Sequence, residues 1–551
     1  MVTPSLPARA WHPTNLLLVL ALWLATVGNW PLWAALWKLP EMHGLRPLAG
    51  TAALVGVLLA FTVLFLSLLV WPRWIKPVGL LLLASVATSS YFMAAYGVVI
   101  APTMLSNVVH TDAREVRDLL TWSLAGALLI GLVLPGAWWW RQPVRAVGAK
   151  AVAKRQFGVA LLSVLVVAVL LWCSFQDLAS LMRNYKPLRY MINPFNTLYA
   201  VGKVSLGSAA HAQAPLQPIG EDARLDPVAP TGADAPLIVL VVGETARAAN
   251  FGLGGYARDT TPELRKLQQQ GNLVYFPQVH SCGTNTQTSV PCMFSHLDKA
   301  HFEGNDARYE GLMDVLQHAG LAVLWLDNQS GCKGACDRVP SYETSALKVD
   351  GLCPDGECFD DIMLHELPAQ LDQLDAQRRA RGTVVVMHQM GSHGPAYYKR
   401  SPADRKPFQP ECTSRALQDC DAQAMVNAYD NSIHYTDHFL AQAVAWLQQQ
   451  KRPTALLYVS DHGESLGEKG LYLHGMPYRM APEEQTHVPM VAWFSPAMQA
   501  SLHLSPACLR QTAAQPYTHD NIFHTMLGLA RVQTQLHEPG LDMLVSCTAQ
   551  R

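Results

Sequence analysis

The sequence predicts five membrane helices, followed by an α/β domain outside the membrane. Three observations predict this architecture. Five apolar segments fill the first 175 of the 551 residues, strand patterns alternate with helical patterns from residue 236 onward, and all but one of the eleven cysteines follow the last apolar segment. Only 15% of the residues are charged, against about 25% in typical soluble proteins. The apolar segments at one end of the chain account for this difference.

The five apolar segments have the length of membrane helices. They cover roughly residues 15–37, 48–71, 77–100, 119–140 and 157–175. About 20 apolar residues cross a bilayer as a helix, and five such runs with charged breaks between them are not the core helices of a soluble protein. The first segment is too long for a signal peptide and lacks a clean cleavage site. We therefore expect residues 1–175 to form a transmembrane domain.

The basic residues of the short loops predict the orientation. The side that holds Arg73, Arg141 and Arg145 carries more Lys and Arg than the side that holds Lys38 and Arg46. The richer side is expected to face the cytoplasm, and five crossings then place the rest of the chain on the opposite side. The formal net charge of −1 gives no support for a nucleic-acid partner.

The cysteines independently support an external location. Beyond residue 175 they form an even set: Cys282, Cys292, Cys332, Cys336, Cys353, Cys358, Cys412, Cys420, Cys508 and Cys547. Such a set is typical of disulfides in an oxidising compartment such as the bacterial periplasm. A zinc ribbon would need CxxC pairs, which the sequence lacks. The residues alone leave the pairing of these cysteines open.

Residues 176–235 are expected to join the two domains. The stretch 176–196 mixes apolar residues with Arg183, Lys186 and Arg189, as an amphipathic helix on a membrane surface does. The stretch 207–235 is rich in Ala, Pro and Gly and predicts an extended, mobile linker. The external domain then occupies residues 236–551.

Apolar runs in the external domain alternate with helical patterns. The runs are LIVLVVGE, LAVLWLD, GTVVVMHQM, TALLYVSD and VPMVAWFS. Runs of this kind predict strands that are buried on both faces of a sheet, and their alternation with helices predicts an α/β sandwich.

Two of these runs end on residues that bind metals. Glu244 follows the first run, and Asp461 and His462 follow a second run about 220 residues later. Because ligands of open α/β sheets bind at the carboxyl ends of the strands, we expect these side chains to meet at one edge. Two oxygen ligands and one nitrogen suit a zinc-like cation. The sequence therefore predicts a metalloenzyme.

The segment SCGTNTQTSVPCMFS, residues 281–295, packs hydroxyl groups between two cysteines. A hydroxyl held beside a divalent cation is acidified and becomes a nucleophile. The residues alone leave Thr284, Thr286 and Thr288 open for this role. They also leave open an ordinary Ser/Thr-rich loop that a disulfide between Cys282 and Cys292 holds in place.

Further polar side chains follow other predicted strands. They are Asn328, Lys333, His388, His393 and His474. A single Lys or His on a loop is usually solvated. If these side chains converge at the strand ends, however, they form a cationic pocket suited to phosphate.

Taken together, the motifs resemble those of the bacterial membrane phosphoethanolamine transferases that modify lipid A, which are part of the alkaline-phosphatase-like superfamily. The matching segments are SYFMAAYGVVI, MINPFN, VVGETAR, SCGTNTQTSVPCMFS, DNQSGCKG, HQMGSHGPAYYKR and SDHGESLGEKGLYLHGMP. The resemblance extends over essentially the whole chain. It implies a five-helix transmembrane domain and a catalytic domain of the alkaline phosphatase or sulfatase fold, in which helices sandwich a mixed sheet.

The resemblance also implies the metal ligands and the nucleophile. Ligands of one Zn²⁺ ion are implied at Glu244, Thr286, Asp461 and His462, and a second ion is left open. Thr286 matches the nucleophile that becomes modified with phosphoethanolamine.

Substrate contacts and disulfides are implied in the same way. Phosphate contacts match Asn328, Lys333, His393 and His474, although Gln329 departs from an Asn of some relatives. The loop 106–118 matches a segment that approaches the lipid donor, with Asn107 and Glu115 as contacts and a solvated loop as the alternative. The implied disulfides are Cys282–Cys292, Cys332–Cys336, Cys353–Cys358, Cys412–Cys420 and Cys508–Cys547.

The implied reaction transfers phosphoethanolamine in two steps. Thr286 attacks phosphatidylethanolamine and releases diacylglycerol, and a phosphate of lipid A then attacks the phospho-threonine. Lys333 and the histidines stabilise the phosphate charge, and His393 or His474 moves protons. The protein is expected to be a monomer in a Gram-negative inner membrane, with its catalytic domain in the periplasm. The added cationic group weakens binding of cationic peptides, which implies polymyxin and colistin resistance.

Several alternatives share part of this pattern. A sulfatase needs a Cys or Ser followed by x-Pro-x-Arg, and residues 281–295 contain no Arg. A phosphoglycerol transferase of the lipoteichoic acid type is disfavoured by the cysteine-rich loops and by YLHGMP. A core heptose of lipopolysaccharide is an alternative acceptor. A non-catalytic zinc-binding membrane sensor or scaffold would have lost a ligand or the nucleophile, and all are present. The sequence does not show which lipid A phosphate is modified.

Overall fold

The structure is a computed structural model that describes residues 10–39, 45–109, 113–303, 305 and 307–548, with the backbone alone for 45–49, 113–115, 207–213 and 355. These residues form two compact units. The first unit contains the described residues up to Leu105 together with Leu120–Val204. The second contains Ser106–Leu119 together with the described residues from Ser205 onward.

Helices account for nearly all of the chain before the first strand. They are α1 Pro13–Ala25, α2 Trp30–Trp37, α3 Leu45–Leu69, α4 Ile75–Tyr96, α5 Pro102–Val109, α6 Ala113–Leu119, α7 Trp122–Leu128, α8 Leu134–Arg141, α9 Ala149–Asn184, α10 Lys186–Tyr190 and α11 Phe195–Gln213. Five stretches among the described residues are long and apolar enough to cross a membrane: Pro13–Trp37, Gly50–Leu69, Ile75–Tyr96, Trp122–Arg141 and Ala149–Asn184. The five predicted spans are confirmed.

Local interactions begin, end and interrupt these helices. α1 begins after His12, whose Nδ1 accepts from Thr14 N at 3.2 Å, and α4 ends at Gly97, which has a φ of +70°. The first span is broken after α1 because the Asn29 side chain donates to Leu24 O at 2.8 Å. Large apolar side chains such as Trp172, which is 88% exposed, suit a lipid-facing surface.

The segment after the fifth span contains a kink and then departs from the sequence prediction. α9 extends to Asn184, but Ser174 within it has non-helical dihedral angles (φ −126°, ψ 17°), so the kink lies at the expected end of the fifth span, just before the expected surface helix. α11 runs to Gln213, so the first seven residues of the expected extended linker are helical. The Ala-rich end of α11 explains this, because Ala has the highest helix propensity.

The second unit is an α/β sandwich. Its strands are β1 Leu216–Gln217, β2 Arg224–Leu225, β3 Leu237–Gly243, β4 Leu273–Phe276, β5 Val279–His280, β6 Arg308–Tyr309, β7 Ala322–Asp327, β8 Ser341–Glu343, β9 Thr383–His388, β10 Thr454–Ser460, β11 Ser465–Leu466, β12 Tyr472–Leu473, β13 Met490–Phe494, β14 Tyr517–Thr518 and β15 Val532–Gln533. Its helices after α11 are α12 Pro262–Gln269, α13 Thr286–Met293, α14 Lys299–Glu303, α15 Leu312–His318, α16 Asp361–Gln373, α17 Ala376–Arg379, α18 Ala422–Gln448, α19 Pro496–Leu502, α20 Pro506–Ala513 and α21 Asp520–Leu529.

Seven strands form one mixed sheet, as expected. Their order is β4-β13-β10-β3-β9-β7-β8. The five strands from β10 to β8 are parallel, whereas β13 and β4 are antiparallel to their neighbours. Every residue of β3, β7, β9 and β10 is buried, because helices cover both faces of the sheet. The carboxyl ends of the parallel strands therefore form one edge, on which loops can carry polar side chains.

Five disulfides stabilise the loops of this unit. They are Cys282–Cys292, Cys332–Cys336, Cys353–Cys358, Cys412–Cys420 and Cys508–Cys547, the pairs that the resemblance implies. In four of them the two cysteines are separated by ten positions or fewer in the sequence, whereas Cys508 and Cys547 are separated by 39 positions. The short loops confine local segments more than they connect distant ones.

Candidate active site

The register of the two central strands brings the predicted metal ligands together. Gly243 at the end of β3 pairs with Ser460 at the end of β10, and Asp461 N donates to Gly243 O at 2.9 Å. The next residues, Glu244, Asp461 and His462, are fully buried. One potential ligand atom from each of them lies within 4.8 Å of the others. Parallel pairing therefore gathers three ligands that are far apart in the sequence.

Hydrogen bonds orient the side chains of this cluster. Asp461 Oδ1 accepts from Thr245 N at 3.2 Å and from His462 N at 2.7 Å. His462 Nδ1 lies 2.9 Å from Gly463 O, so Nδ1 carries the proton and Nε2 is left with a lone pair. That Nε2 lies 3.3 Å from Asp461 Oδ2 and 3.5 Å from Glu244 Oε1. The lone pair and both carboxylates therefore face a common point.

The electrostatics of the cluster suit a divalent cation. Burial raises the pKa of Asp461 and lowers the pKa of His462 well below its ordinary value. Asp461 Oδ2 is buried and accepts no hydrogen bond within the described part of the chain. Buried carboxyl oxygens without a partner are unfavourable unless a cation binds them. Two carboxylates, a neutral imidazole and a nearby hydroxyl form a donor set that fits Zn²⁺.

The hydroxyl next to this cluster belongs to Thr286. Its Oγ1 lies 3.1 Å from Glu244 Oε2 and 3.4 Å from His462 Nε2. Thr286 is the first residue of α13, and the side chain of Asn285 caps that helix by accepting from Thr288 N at 3.0 Å. The helix start thus holds the hydroxyl against the predicted ligands.

The two alternative threonines are placed differently. Thr284 Oγ1 donates to Met476 O at 2.6 Å, which commits its hydroxyl to the neighbouring loop. Thr288 follows Thr286 by two helical positions, which turns its side chain by about 200° around the axis. The geometry therefore favours Thr286 among the three.

Close packing restrains the turn before α13. A Cβ on Gly283 would lie 2.8 Å from Thr288 Cβ and 2.9 Å from Ser289 Oγ, so a larger residue does not fit. The Cys282–Cys292 disulfide joins the turn to the end of the same helix. The packing at Gly283 and the disulfide together hold this turn in one position.

Lys333 is held in a strained backbone conformation. Its φ is +52°, in the left-handed region, and the Cys332–Cys336 disulfide closes the loop around it. Its Nζ donates to Ser330 O at 2.9 Å and to Ser330 Oγ at 2.7 Å. The disulfide and these bonds fix the direction in which the ammonium group points.

Two further histidines lie close to the predicted metal ligands. The rings of His462 and His474 are 4.4 Å apart, and those of His474 and His393 are 5.6 Å apart. Burial lowers the pKa of His393 well below its ordinary value, and His474, Arg400 and Lys333 lower it further. His393 is therefore a neutral imidazole that packs against His474, and Lys333 is close enough to lower its pKa. The predicted phosphate pocket stays a prediction.

Two residues that the sequence analysis did not select support these histidines. Glu464 is fully buried, and its carboxylate lies 3.2 Å from His474 Nδ1 and accepts from Tyr397 OH at 3.1 Å. Arg400 Nε donates to the carbonyl of His393 at 2.8 Å. Glu464 lies in the motif SDHGES and Arg400 in the motif HGPAYYKR. A charged residue inside a matching motif was therefore the sequence feature that could have identified each of them.

Other predicted residues take different positions. Asn328 is buried and donates to Cys358 O at 3.0 Å and to Asp360 Oδ1 at 2.9 Å, so its amide joins two loops. His388 Nδ1 lies 3.0 Å from Asp327 Oδ2. Asn107 lies in α5, whereas the side chain of Glu115 in α6 is outside the described residues. The expected donor contacts of these last two residues remain predictions.

Comparisons with known proteins place the whole chain in one group. Residues 236–532 match the sulfatase family model, and residues 58–208 match the family model of phosphoethanolamine transferases EptA/EptB. Phosphoethanolamine transferase EptA of Salmonella typhimurium is 40% identical over 84% of this chain and 83% of its own. Phosphatidylethanolamine transferase Mcr-1 of Escherichia coli is 38% identical over 86% of each chain. The solved structure of the integral membrane lipooligosaccharide phosphoethanolamine transferase A from Neisseria meningitidis superposes with a TM-score of 0.93, at 33% identity, over 98% of this chain and 100% of that one.

Proposed function

The chain belongs to the family of phosphoethanolamine transferases of the EptA and Mcr type, and from this membership we propose that it transfers phosphoethanolamine from phosphatidylethanolamine to a phosphate of lipid A. Two relatives are named for the transferred group and one for its donor lipid. The assignment of a donor lipid and an acceptor to this chain depends on the residues of its own candidate active site.

The observation that carries the proposal is the position of Thr286. Its hydroxyl lies 3.1 Å from a carboxylate oxygen of Glu244 and 3.4 Å from His462 Nε2. A threonine hydroxyl of ordinary acidity is a weak nucleophile. A neighbouring carboxylate and imidazole can activate it by accepting its proton. We therefore assign Thr286 as the residue that carries phosphoethanolamine between donor and acceptor.

Glu244, Thr286, Asp461 and His462 would hold one Zn²⁺ ion. When bound there, Zn²⁺ supplies a positive charge that lowers the pKa of the Thr286 hydroxyl and polarises a phosphate oxygen. Asp461 Oδ2, which is buried and accepts no hydrogen bond from the described residues, supports this assignment. A second ion remains open.

The reaction proceeds in two displacements at phosphorus. In the first, Thr286 Oγ1 loses its proton and forms a bond to the phosphorus of phosphatidylethanolamine, while the bond from phosphorus to the diacylglycerol oxygen breaks and that oxygen takes up a proton. In the second, a phosphate oxygen of lipid A attacks the same phosphorus, the bond to Thr286 Oγ1 breaks, and Oγ1 takes up a proton, which restores the threonine. Phosphoethanolamine is the group transferred in both steps.

The cationic and imidazole groups bind the phosphate while these bonds change. Lys333 neutralises charge on the phosphate oxygens that are neither attacked nor released, and the imidazoles of His393 and His474 form hydrogen bonds with them. His393 is neutral because burial lowers its pKa, so its imidazole is able to accept a proton. Glu464 and Arg400 hold the two histidines in place.

The cellular location follows from the membrane spans and the disulfides. The described residues contain five candidate spans, and five disulfides lie in the catalytic unit. The excess of Lys and Arg on one side of the spans orients that unit outward. We propose an inner-membrane protein of a Gram-negative bacterium, monomeric, with its catalytic domain in the periplasm. There it would raise the positive charge of lipid A and so lower the binding of polymyxins.

The intact mass of lipid A from cells that express this chain tests the proposal. Addition of one phosphoethanolamine unit, absent from cells that express the Thr286→Ala variant at the same level, is the expected result. Unmodified lipid A together with a phosphoethanolamine-modified core sugar would transfer the assignment to a core heptose acceptor. Absence of modification on both, with folded protein in the membrane, would overturn the proposal.

A further inference from the structure

A large cavity lies beside α13, the helix that carries Thr286. Its volume is about 750 Å³, within the range of small-molecule binding sites, and its wall includes Gln287 and Lys333. Gln287 directly follows Thr286 in α13, and successive helical side chains point about 100° apart. The hydroxyl of Thr286 therefore faces the metal ligands while Gln287 faces the cavity.

The wall opposite α13 is a short two-stranded ribbon. Arg308 and Tyr309 form β6, which pairs in parallel with β1, and both residues line the cavity. The Tyr309 ring is held edge-on against His296, with ring centres 5.0 Å apart. Phe302 adds a second aromatic ring to the same wall. The ribbon thus presents aromatic surface and a guanidinium group to the interior.

Two cations of the cavity have no carboxylate partner among the described residues. Arg308 makes no ion pair within the described part of the chain, and Lys333 Nζ donates only to the carbonyl and hydroxyl of Ser330 there. Arg338, also in the wall, is bound through both Nε and Nη2 to Asp314, at 2.8 and 2.7 Å. Arg308 and Lys333 are therefore the cations available to an anionic ligand.

The remaining polar groups of the cavity suit hydroxyl groups. The amide oxygen of Gln287 is buried and accepts no hydrogen bond among the described residues. Glu310 accepts from Ile219 N at 3.2 Å and keeps a second carboxylate oxygen, and Asp337 lies exposed at the rim. Planar amide, carboxylate and guanidinium groups beside aromatic rings can form paired hydrogen bonds to vicinal hydroxyls, while the rings pack on the apolar face of a sugar.

We propose that this cavity binds the phosphorylated saccharide of the acceptor lipid, an inference that rests on the proposed transferase function. Arg308 and Lys333 bind its phosphate, and Gln287 donates to or accepts from the sugar next to the reacting oxygen. Tyr309 and Phe302 pack on the sugar ring. The donor phosphate lies on the metal-ligand side of Thr286, among His393, His474 and Lys333, so Lys333 contacts the transferred phosphate and the acceptor phosphate in turn. Donor and acceptor thereby approach one threonine from two different cavities.

Separate measurements of the donor step and the acceptor step in the full-length protein distinguish a failure of this cavity assignment from a failure of the proposed transferase function. The donor step is measured as diacylglycerol release and as the mass gain of the enzyme after mixing with phosphatidylethanolamine. The acceptor step is measured as the rate at which the modified enzyme loses this added mass, at increasing concentrations of purified lipid A. The variants are Arg308→Gln and Gln287→Ala. The matched control is Arg510→Gln, an exposed arginine in α20 that is remote from the cavity lining.

For Arg308→Gln we expect the lipid A concentration at half-maximal rate to rise about tenfold, as loss of one charge-assisted hydrogen bond predicts. Gln287→Ala should raise it less, by about threefold, because a neutral group is lost. The donor step should stay within twofold of wild type in both, and Arg510→Gln should change neither step. An unchanged acceptor dependence in both variants, or a donor step that falls in parallel, would overturn the cavity assignment. If wild-type protein releases no diacylglycerol, the proposed function fails instead.

Discussion

Arg400 donates from Nε to the main-chain carbonyl of His393 at 2.8 Å. Its side chain is only 4% exposed, and its other nitrogens lie 2.7 Å from Glu357 and 3.5 Å from Asp118. One guanidinium therefore joins α6, the loop of the Cys353–Cys358 disulfide and an active-site histidine. A charge this deeply buried is stable only because two carboxylates neutralise it. The arrangement makes Arg400 a positioning residue for His393.

We predict that Arg400→Lys lowers kcat/KM about tenfold, because lysine keeps the charge but cannot reach both carboxylates and the carbonyl from one planar group. The control is Arg415→Lys, since Arg415 also pairs with Asp118, at 3.2 Å, but is 34% exposed. Arg415→Lys should stay within twofold of wild type. Steady-state kinetics with both variants checks this, and equal losses would show that Arg400 acts only through Asp118.

The pKa of Glu357 leads to a prediction about acid stability. Burial alone would raise it, but Arg400 and Lys399 outweigh burial and lower it from 4.5 to about 2. Between these pH values the folded state binds fewer protons than the unfolded state. The stabilisation from Glu357 is therefore fully present above pH 4.5 and is lost as the pH falls toward 2.

Thermal unfolding of Glu357→Gln across this pH range measures the effect. At neutral pH the variant should be less stable than wild type by up to about 3 kcal/mol, and the two should converge as the pH falls. Asp372→Asn is the control, because Asp372 is 83% exposed and its ion pair with Arg379 is long, at 3.4 Å. A Glu357→Gln deficit that stays constant down to pH 2 would contradict the assignment.

The disulfides of the catalytic unit should divide into two functional kinds. Cys332–Cys336 closes a loop of only four residues in separation around Lys333, so its loss costs about 2 kcal/mol by chain entropy but releases Lys333. We expect the Cys332→Ser, Cys336→Ser double variant to raise the donor KM several-fold. Measurement of the donor step in the folded variant checks this.

Removal of Cys508–Cys547 serves as the comparison. This bridge spans 39 residues, so its loss costs about 4 kcal/mol, and we expect a clearly lower melting temperature with an unchanged donor KM in the protein that remains folded. If both double variants changed KM and melting temperature alike, the loop around Lys333 would have no separate role.

Substitution of a predicted metal ligand and substitution of a residue that positions a histidine should have different effects on zinc content. We predict that Asp461→Asn loses bound zinc, because it removes the charge of a buried ligand, whereas Glu464→Gln retains zinc but lowers kcat about tenfold. Glu464 touches His474 and Tyr397 rather than the cluster itself. Zinc content per purified protein and kcat are measured together. Zinc loss in Glu464→Gln comparable to that in Asp461→Asn would make Glu464 a ligand.

The elements that could be predicted are those whose signal is local. Continuous apolar runs predicted β3 and β10, and the residues directly after them predicted Glu244, Asp461 and His462 at one edge of the sheet. Strand order is different, because pairing partners that are distant in the sequence leave no local pattern. The antiparallel direction of β13 was likewise beyond the sequence, since a buried antiparallel strand has the same apolar run.

Side-chain partners set a similar limit within the site. Asn328 lies five residues before Lys333, yet its amide binds Asp360, a residue that nothing near Asn328 in the sequence indicates. Arg400 and Glu464 act through contacts with His393 and His474 that only the folded loops create. The residues alone also left three threonines open as the nucleophile, and it is the start of α13 beside Glu244 that distinguishes Thr286.

The pairing of β3 with β10 affects when the chain becomes able to capture its metal. The hydrogen bond from Thr245 to Asp461 joins residues 216 positions apart. At about 5–20 residues per second, roughly 10–40 s of synthesis separate the two. Throughout that interval Glu244 and Thr286 lack Asp461 and His462, so the nascent chain has no centre to fill. A product that stops before β10 would also lack two of the predicted zinc ligands, so zinc content would report whether synthesis has passed His462.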